Sequence, residues 1–368
     1  MTHPYTLSLP HQRWRSAMTG MAPSQVDPVV DGSWRIAEHD RVATAGSCFA
    51  QHVARRLREA GLPPLDTEPG HSMFSPAITE AFGYGFYSAR FGSIYTSGQL
   101  LQLLRRAYGR FQPAEDIWEA PDGRFYDPFR PTIQPQGYPT RKEYDLDRAG
   151  HLRAVREMFE TATVFVFTLG LTECWRSKID GAVYPLCPGV AAGEFDPERH
   201  EFHNLSAAEV IEDLDGFLDE VREVNPGLRV IFTVSPVALA ATAEPRHVWT
   251  STTASKAALR VAADDISRRP GVVYFPSYEV ITSPAARGAY YRDDLREVTE
   301  AGVDHVMRLF FKHLVDDSAV RELPAARVAD DFIEQMQHAI NVLCDEARLD
   351  PIDQEALSPL GQEPNLSR

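Results

Sequence analysis

The sequence predicts an α/β fold in which helices cover both faces of a parallel sheet. Three observations carry that prediction. Four short, nearly unbroken apolar runs, at 42–45, 163–170, 229–237 and 272–280, alternate with longer segments of helical period. Strands buried on both faces read as continuous apolar residues, and parallel sheets are buried that way. The 368-residue chain is 43% apolar, enough for a large core. Its length points to one large domain, or one with a substantial insertion.

The elements follow in order. Residues 1–40 are polar and proline-bearing and read as an arm on the domain. Val42 to Ala45 suits a buried strand, Gly46 permits a sharp turn, and Phe49, Val53 and Leu57 mark a helix that Gly61 ends. Residues 63–98 are rich in Gly, Pro and aromatics and read as loops with short helical pieces, before a helix at 97–111. Residues 112–150, with the Asp122-Gly123 turn signal, read as an inserted hairpin or lid. A helix at 151–162 leads into 163–170, where six of eight residues are β-branched or aromatic, as a buried strand requires. Residues 176–205 read as loop. Ser206 and Glu209 form a capping box for a helix whose stripe is Val210, Leu214, Phe217 and Val221, and Asn225-Pro226-Gly227 stops it. Strand 229–237, helix 255–268 and strand 272–280 follow, and Thr299 caps the last core helix. The α/β domain is thus expected at 41–318, with 319–368 a C-terminal helix (327–348) and a disordered tail.

Composition narrows the function. The net charge is −15 and no Lys/Arg-rich run occurs, so nucleic acid and anionic membrane surfaces are poor partners. No signal peptide is visible at the N-terminus, and no run approaches the ~20 apolar residues of a membrane span. Cys48, Cys174, Cys187 and Cys344 are widely spread, which suits reduced thiols in a cytoplasmic protein. No Cys-x-x-Cys pair, phosphate-binding loop or His/Asp cluster of ligand spacing appears, so no metal or nucleotide cofactor is indicated.

Ligands of open parallel sheets bind beyond the carboxyl ends of the strands. Those ends are Gly46-Ser47-Cys48, Gly170-Leu171-Thr172-Glu173, Ser235-Pro236 and the segment after Val280. A thiol at a helix start tends to be reactive, and a strand-to-helix turn presents a nucleophile well. His52, one turn later, could steady a thiolate, although a solvent-facing helix histidine is the plainer reading.

"GSCFA" at 46–50 resembles the signature of the GSCFA family, which groups with the SGNH (GDSL-like) hydrolases. "FGSIYT" (91–96), "TLGLTECW" (168–175), "FHNLS" (202–206), "TVSPV" (233–237), "SKAALR" (255–260) and "YFPSYE" (274–279) agree with it. The resemblance covers roughly 40–315. It implies a flavodoxin-like three-layer α/β/α fold and acyl transfer: ester hydrolysis, or transfer from an ester or acyl-thioester donor to a polar acceptor such as a carbohydrate. On the Gly-Asp-Ser pattern, Cys48 falls at the nucleophile and Ser47 at the Asp. Gly92 is the candidate oxyanion glycine. Gly170 to Glu173 match the Gly-x-Asn-Asp block, with Thr172 in place of Asn and Glu173 in place of Asp. "DDLRE" matches Asp-x-x-His, with Asp294 at the Asp and Glu297 at the His. His305 is a further candidate base. The missing Asn and His leave a rival reading, an inactive SGNH fold kept for ligand binding or interaction.

Overall fold

A computed structural model describes residues 3–30, 34–319 and 349. The strands are β1 Val42–Gly46, β2 Trp118–Glu119, β3 Phe125–Tyr126, β4 Val164–Leu169, β5 Glu173–Ser177, β6 Val183–Tyr184, β7 His200–Asn204, β8 Arg229–Val234 and β9 Val272–Phe275. The α-helices are α1 Trp14–Met18, α2 Phe49–Glu59, α3 Pro76–Ala81, α4 Ser97–Ala107, α5 Arg141–Thr161, α6 Ala207–Val224, α7 Val248–Ile266, α8 Ser277–Thr282 and α9 Glu300–Leu314.

The four long apolar runs form one parallel sheet, ordered β1-β4-β8-β9. Alternate residues of each strand serve two separate cores, as strand geometry requires. Ala43, Phe165, Phe167, Val230 and Phe232 pack with α4, α5, α6 and α7. Val42, Val164, Val166, Ile231 and Phe275 pack with α2, α8 and α9 on the other face. This is the three-layer α/β/α sandwich. Its helices change face between β1 and β4, because α2 follows β1 on one side while α4 to α7 lie on the other.

The free edge of β1 is not left open. Leu65 N–H donates to Val42 O (2.8 Å), Ser88 N–H to Thr44 O (3.2 Å) and Ile94 N–H to Gly46 O (2.8 Å). The aromatic, Gly-rich segment 65–94 thus covers the edge without forming a strand, one of the ways an exposed edge is blunted.

Several expectations change, among them the helix read at 255–268, which starts at Val248, and the strand read at 229–237, which ends at Val234. Residues 176–205, read as loop, help build a second, antiparallel sheet ordered β6-β5-β7. Its strands mix polar and aromatic residues, as in the pairing of Trp175 with Phe202, so no apolar run marks them. The strand expected to run to Val280 stops at Phe275, because Pro276 removes a ladder donor and α8 begins at Ser277. The α5 helix starts ten residues before 151, at a Thr140 cap that accepts from Glu143 N–H, so the insertion is shorter and its hairpin, β2-β3, is only two residues a side. The C-terminal helix and tail expected at 319–368, and Cys344, fall outside the described residues apart from 319 and 349.

The N-terminal segment meets α9 at residues 24–27, where Arg308 Nη2 donates to Ser24 O (2.6 Å). Asp27 binds Lys312 Nζ (2.7 Å) and His313 Nε2 (2.9 Å), and Ile36 bridges to Val315. Among the described residues, no helix is long and apolar enough to cross a membrane.

Candidate active site

The crevice opens where the helices change face, between the carboxyl ends of β1 and β4. Gly46 has φ +131°, and a Cβ there would stand 2.4 Å from Thr168 O. Only glycine lets β1 turn so close to β4. Ser47 N–H then donates to Thr168 O (3.0 Å). Gly170 is crowded to a lesser degree: a Cβ would meet Ser47 Cβ at 3.0 Å and Tyr95 O at 3.1 Å. Three backbone segments therefore touch around Ser47.

Cys48 comes next and already has helical angles, φ −51° and ψ −32°. Ala50 N–H donates to Ser47 O (2.9 Å) and Gln51 N–H to Cys48 O (3.1 Å), so Ser47 and Cys48 open the first turn of α2. First-turn N–H groups have no intrahelical acceptor, and the dipole favours negative charge there. Tyr87 OH donates to Ser47 O (3.2 Å) and sits within hydrogen-bond reach of Gln51 Nε2 (3.1 Å) and Ser93 Oγ (3.2 Å), which pins the turn. The Ser47 hydroxyl itself is buried and has no hydrogen-bond partner among the described residues.

A cleft of about 220 Å³, mouth included, lies over this turn. Ser47 and Cys48 come from the end of β1, Gly170 and Leu171 from β4, and Ser235 and the Val237 to Leu239 loop from β8. Tyr95 closes one side. Lys256, from α7, closes the other; it is 2% exposed and its Nζ donates to Gly170 O (2.5 Å).

Lys256 was absent from the sequence candidates, yet a signal for it exists. It lies three and seven residues before Leu259 and Ala263, on the buried stripe of α7. A lysine is almost never fully buried unless it is paired, so one on an apolar stripe points to a partner in the core. Its neighbour Ser255 accepts the Thr172 N–H (3.0 Å), so α7 braces the β4 end twice.

None of the remaining candidates lines the cleft. Thr172 is buried, but its hydroxyl donates to Asn204 Oδ1 (2.7 Å) and it does not line the cleft. The Glu173 carboxylate accepts from Thr242 OH (2.7 Å) and Ala243 N–H (3.2 Å), fastening the loop after β8, and burial raises its pKa. Gly92, at φ +68°, sits two residues before the Ile94 N–H that binds Gly46 O; it turns the edge segment and does not line the cleft.

Asp294 is exposed and caps its own turn, accepting from Arg296 N–H (3.0 Å) and Glu297 N–H (3.0 Å). Glu297 is exposed beside Arg292 (3.4 Å). Arg296, between them, is the residue that reaches the cleft wall, its Nε donating to Ala238 O (3.1 Å). His305 is buried in α9 with Nδ1 at 2.7 Å from Tyr290 OH, and burial lowers its pKa. It steadies the α9 packing. His52 packs on Phe49, and burial pushes its pKa down to about 4, so it stays neutral. Among the described residues, the residues lining the cleft carry one thiol, one amine, one phenol and two serine hydroxyls, with no histidine or carboxylate. No group of three or more His, Cys, Asp or Glu is placed to hold a metal ion among the described residues.

No curated protein matches the chain. Among solved structures it is similar to a carbohydrate esterase family 3 protein from Talaromyces cellulolyticus, at 11% identity and a TM-score of 0.34, over 82% of this chain and 100% of that one. The GSCFA family profile matches residues 41–310, from the start of β1 into α9, and so spans the central sheet and every strand end at the cleft. On that match the chain belongs to the GSCFA family.

Proposed function

We propose that the chain is an SGNH-like acyl-transfer enzyme with Cys48 as its nucleophile. The observation that carries this reading is that one cleft is lined by both a thiol at the first turn of α2 and the buried amine of Lys256. Cys48 sulfur attacks an ester or thioester carbonyl, and the carbonyl π pair moves to oxygen. The tetrahedral species collapses, the bond to the leaving oxygen or sulfur breaks, and that atom takes a proton. Water or an acceptor hydroxyl then attacks the acyl-cysteine, loses its proton, and releases acid or new ester together with the thiol. A cation beside a helix-start thiol favours thiolate, which lessens the need for the histidine this chain lacks. Lys256 is the proton-handling group of this proposal, in place of Asp294, Glu297 and His305. The oxyanion would rest on the Cys48 N–H, with Gly92 and Thr172 reaching it only after a local rearrangement. A carbohydrate or other polar ester is the proposed substrate, with an acyl thioester the donor if the reaction is transfer. A reducing compartment such as the cytoplasm suits thiol chemistry.

The cleft's lack of histidine and carboxylate supports a second reading, an inactive SGNH fold that binds a ligand there. Release of a chromogenic acyl ester separates the two. Cys48→Ser and Lys256→Met should each lose about 10²-fold or more in rate, the scale of a lost proton-transfer pathway; Cys48→Ser should melt as wild type does, and Lys256→Met, which also loses the bond to Gly170 O, should stay folded at a lower melting temperature. If Ser47→Ala were inactive and Cys48→Ser fully active, the nucleophile would be Ser47. A wild-type protein that turned over no ester or thioester would leave the binding module.

A further inference from the structure

A second hollow, of about 350 Å³ with its mouth, lies between α4, α5 and the 91–94 and 129–130 segments. Two of its polar groups have unmet hydrogen-bonding capacity. Arg106 is 9% exposed, holds its guanidinium carbon over Phe129 (3.6 Å to the ring centre), and is ion-paired with Asp127 only at 4.0 Å. Its guanidinium makes no hydrogen bond among the described residues. Burial lowers its pKa to about 10, so it remains a cation at neutral pH.

The other group is His151, 1% exposed. Its Nδ1 is 2.7 Å from Glu68 Oε2 and its Nε2 has no partner among the described residues. A carboxylate at Nδ1 fixes the proton on that nitrogen and leaves a lone pair on Nε2. Burial, with Arg130 nearby, lowers the ring's pKa and keeps it neutral.

The other charges facing the hollow are already matched. Arg130 holds Asp127 Oδ2 (2.8 Å) and Asp147 Oδ2 (2.8 Å), and Arg90 holds Asp147 Oδ1 (3.1 Å). Glu68 is held by His151 and by Arg90 N–H (2.8 Å). Buried polar groups are normally satisfied, and those that are not need an explanation. Here a donor fork without a hydrogen bond and an acceptor without a donor line one cavity, between the apolar walls of Phe91, Ile94 and Leu103.

We propose that this hollow is a second binding site, distinct from the Cys48 cleft, for a small anion that carries a hydroxyl. Anionic oxygens take the Arg106 fork, the hydroxyl donates to His151 Nε2, and a short carbon skeleton rests on Phe91, Ile94 and Leu103. A hydroxycarboxylate and a hydroxylated phosphate ester share this chemistry. The proposal does not depend on acyl transfer at Cys48.

Calorimetric titration of the full chain with glycerate and with glycerol 3-phosphate tests it, and the stronger of the two identifies the anion. At least one should bind saturably. Acetate and sulfate, which lack the hydroxyl, should bind about tenfold or more weakly, the scale of a lost charge-assisted contact, and glycerol should not bind. Arg106→Met should abolish the signal. Arg106→Lys, which keeps the charge and guards against a folding failure, should weaken it. Cys48→Ser should leave it intact. In the wild type, the His151 Nε2 nitrogen resonance should move on saturation. The proposal fails if neither probe binds at about 10 mM, the limit of weak specific affinity. It also fails if binding survives Arg106→Met, or is lost in Cys48→Ser.

Discussion

Gly46 decides where the first strand ends and how close the candidate nucleophile comes to the sheet. A methyl group there would enter the Thr168 backbone, at a φ that L-residues avoid. Gly46→Ala should cost about 2–4 kcal/mol, combining backbone strain with overpacking, read as a lower urea midpoint at unchanged slope. An unchanged midpoint would mean that β1 and β4 slide apart without penalty. Cys48 is one side chain further on. In a Cys344→Ser background, iodoacetamide followed by mass spectrometry should label Cys48 before Cys174 or Cys187. Burial pushes those two thiols up to about 12 and about 11. Cys187 is the more exposed by residue area, so labelling ordered by exposure alone would put it first and count against activation of Cys48.

At the scale of elements, α5 shows why local pattern and tertiary need differ. Its second half carries the apolar stripe Ala154, Val155, Met158 and Phe159 and is legible in sequence. Its first half, "RKEYDLDRAG", has few apolar positions, and its place is set by Asp147 reaching across to Arg90, Arg130 and Tyr138 OH (2.6 Å). Burial opposes ionisation of Asp147, but the Arg130 charge and the Tyr138 hydroxyl outweigh it and hold the carboxyl at about 2. A folded pKa below the unfolded one gives stability that is present above the unfolded value and lost as pH falls through the folded one. Asp147→Asn should therefore lower the melting temperature at pH 7, and its gap to wild type should close between pH 3.8 and about 2. A gap constant with pH would show that the carboxylate charge contributes nothing. The capping box at Ser206 and Glu209 is the opposite case: its partners lie three residues apart, and α6 begins where the sequence places it.

At the scale of the molecule, the arm and the last helix are tied by Ile36, which is fully buried in the core with α2 and α9. Ile36→Ala should cost about 2–5 kcal/mol by cavity formation. Leu7→Ala, at an exposed position of the same arm, should stay within about 0.5 kcal/mol. Equal effects in urea unfolding would show that Ile36 is not part of the cooperative core.

The sequence by itself determined the four parallel strands, the helices between them and the strand-end turn carrying Ser47 and Cys48. Each rests on periodicity, a cap or a glycine within a few residues, so neighbours in the chain are enough to encode it. Only the tertiary structure decided what faces that turn. Lys256 lies 208 residues after Cys48 and reaches the same cleft because α7 packs on β8 and puts the amine against Gly170 O, just past the end of β4. Asp294 and Glu297, chosen by their place in a motif, turn outward because Asp294 satisfies the N–H groups of its own turn while Arg296 takes the inward position. The unmet groups of Arg106 and His151 arise in the same way, on two helices joined by 33 residues of insertion. A residue's type and spacing fix which element it joins. Which partners it finds is set by how those elements pack, and that depends on contacts far apart in the chain.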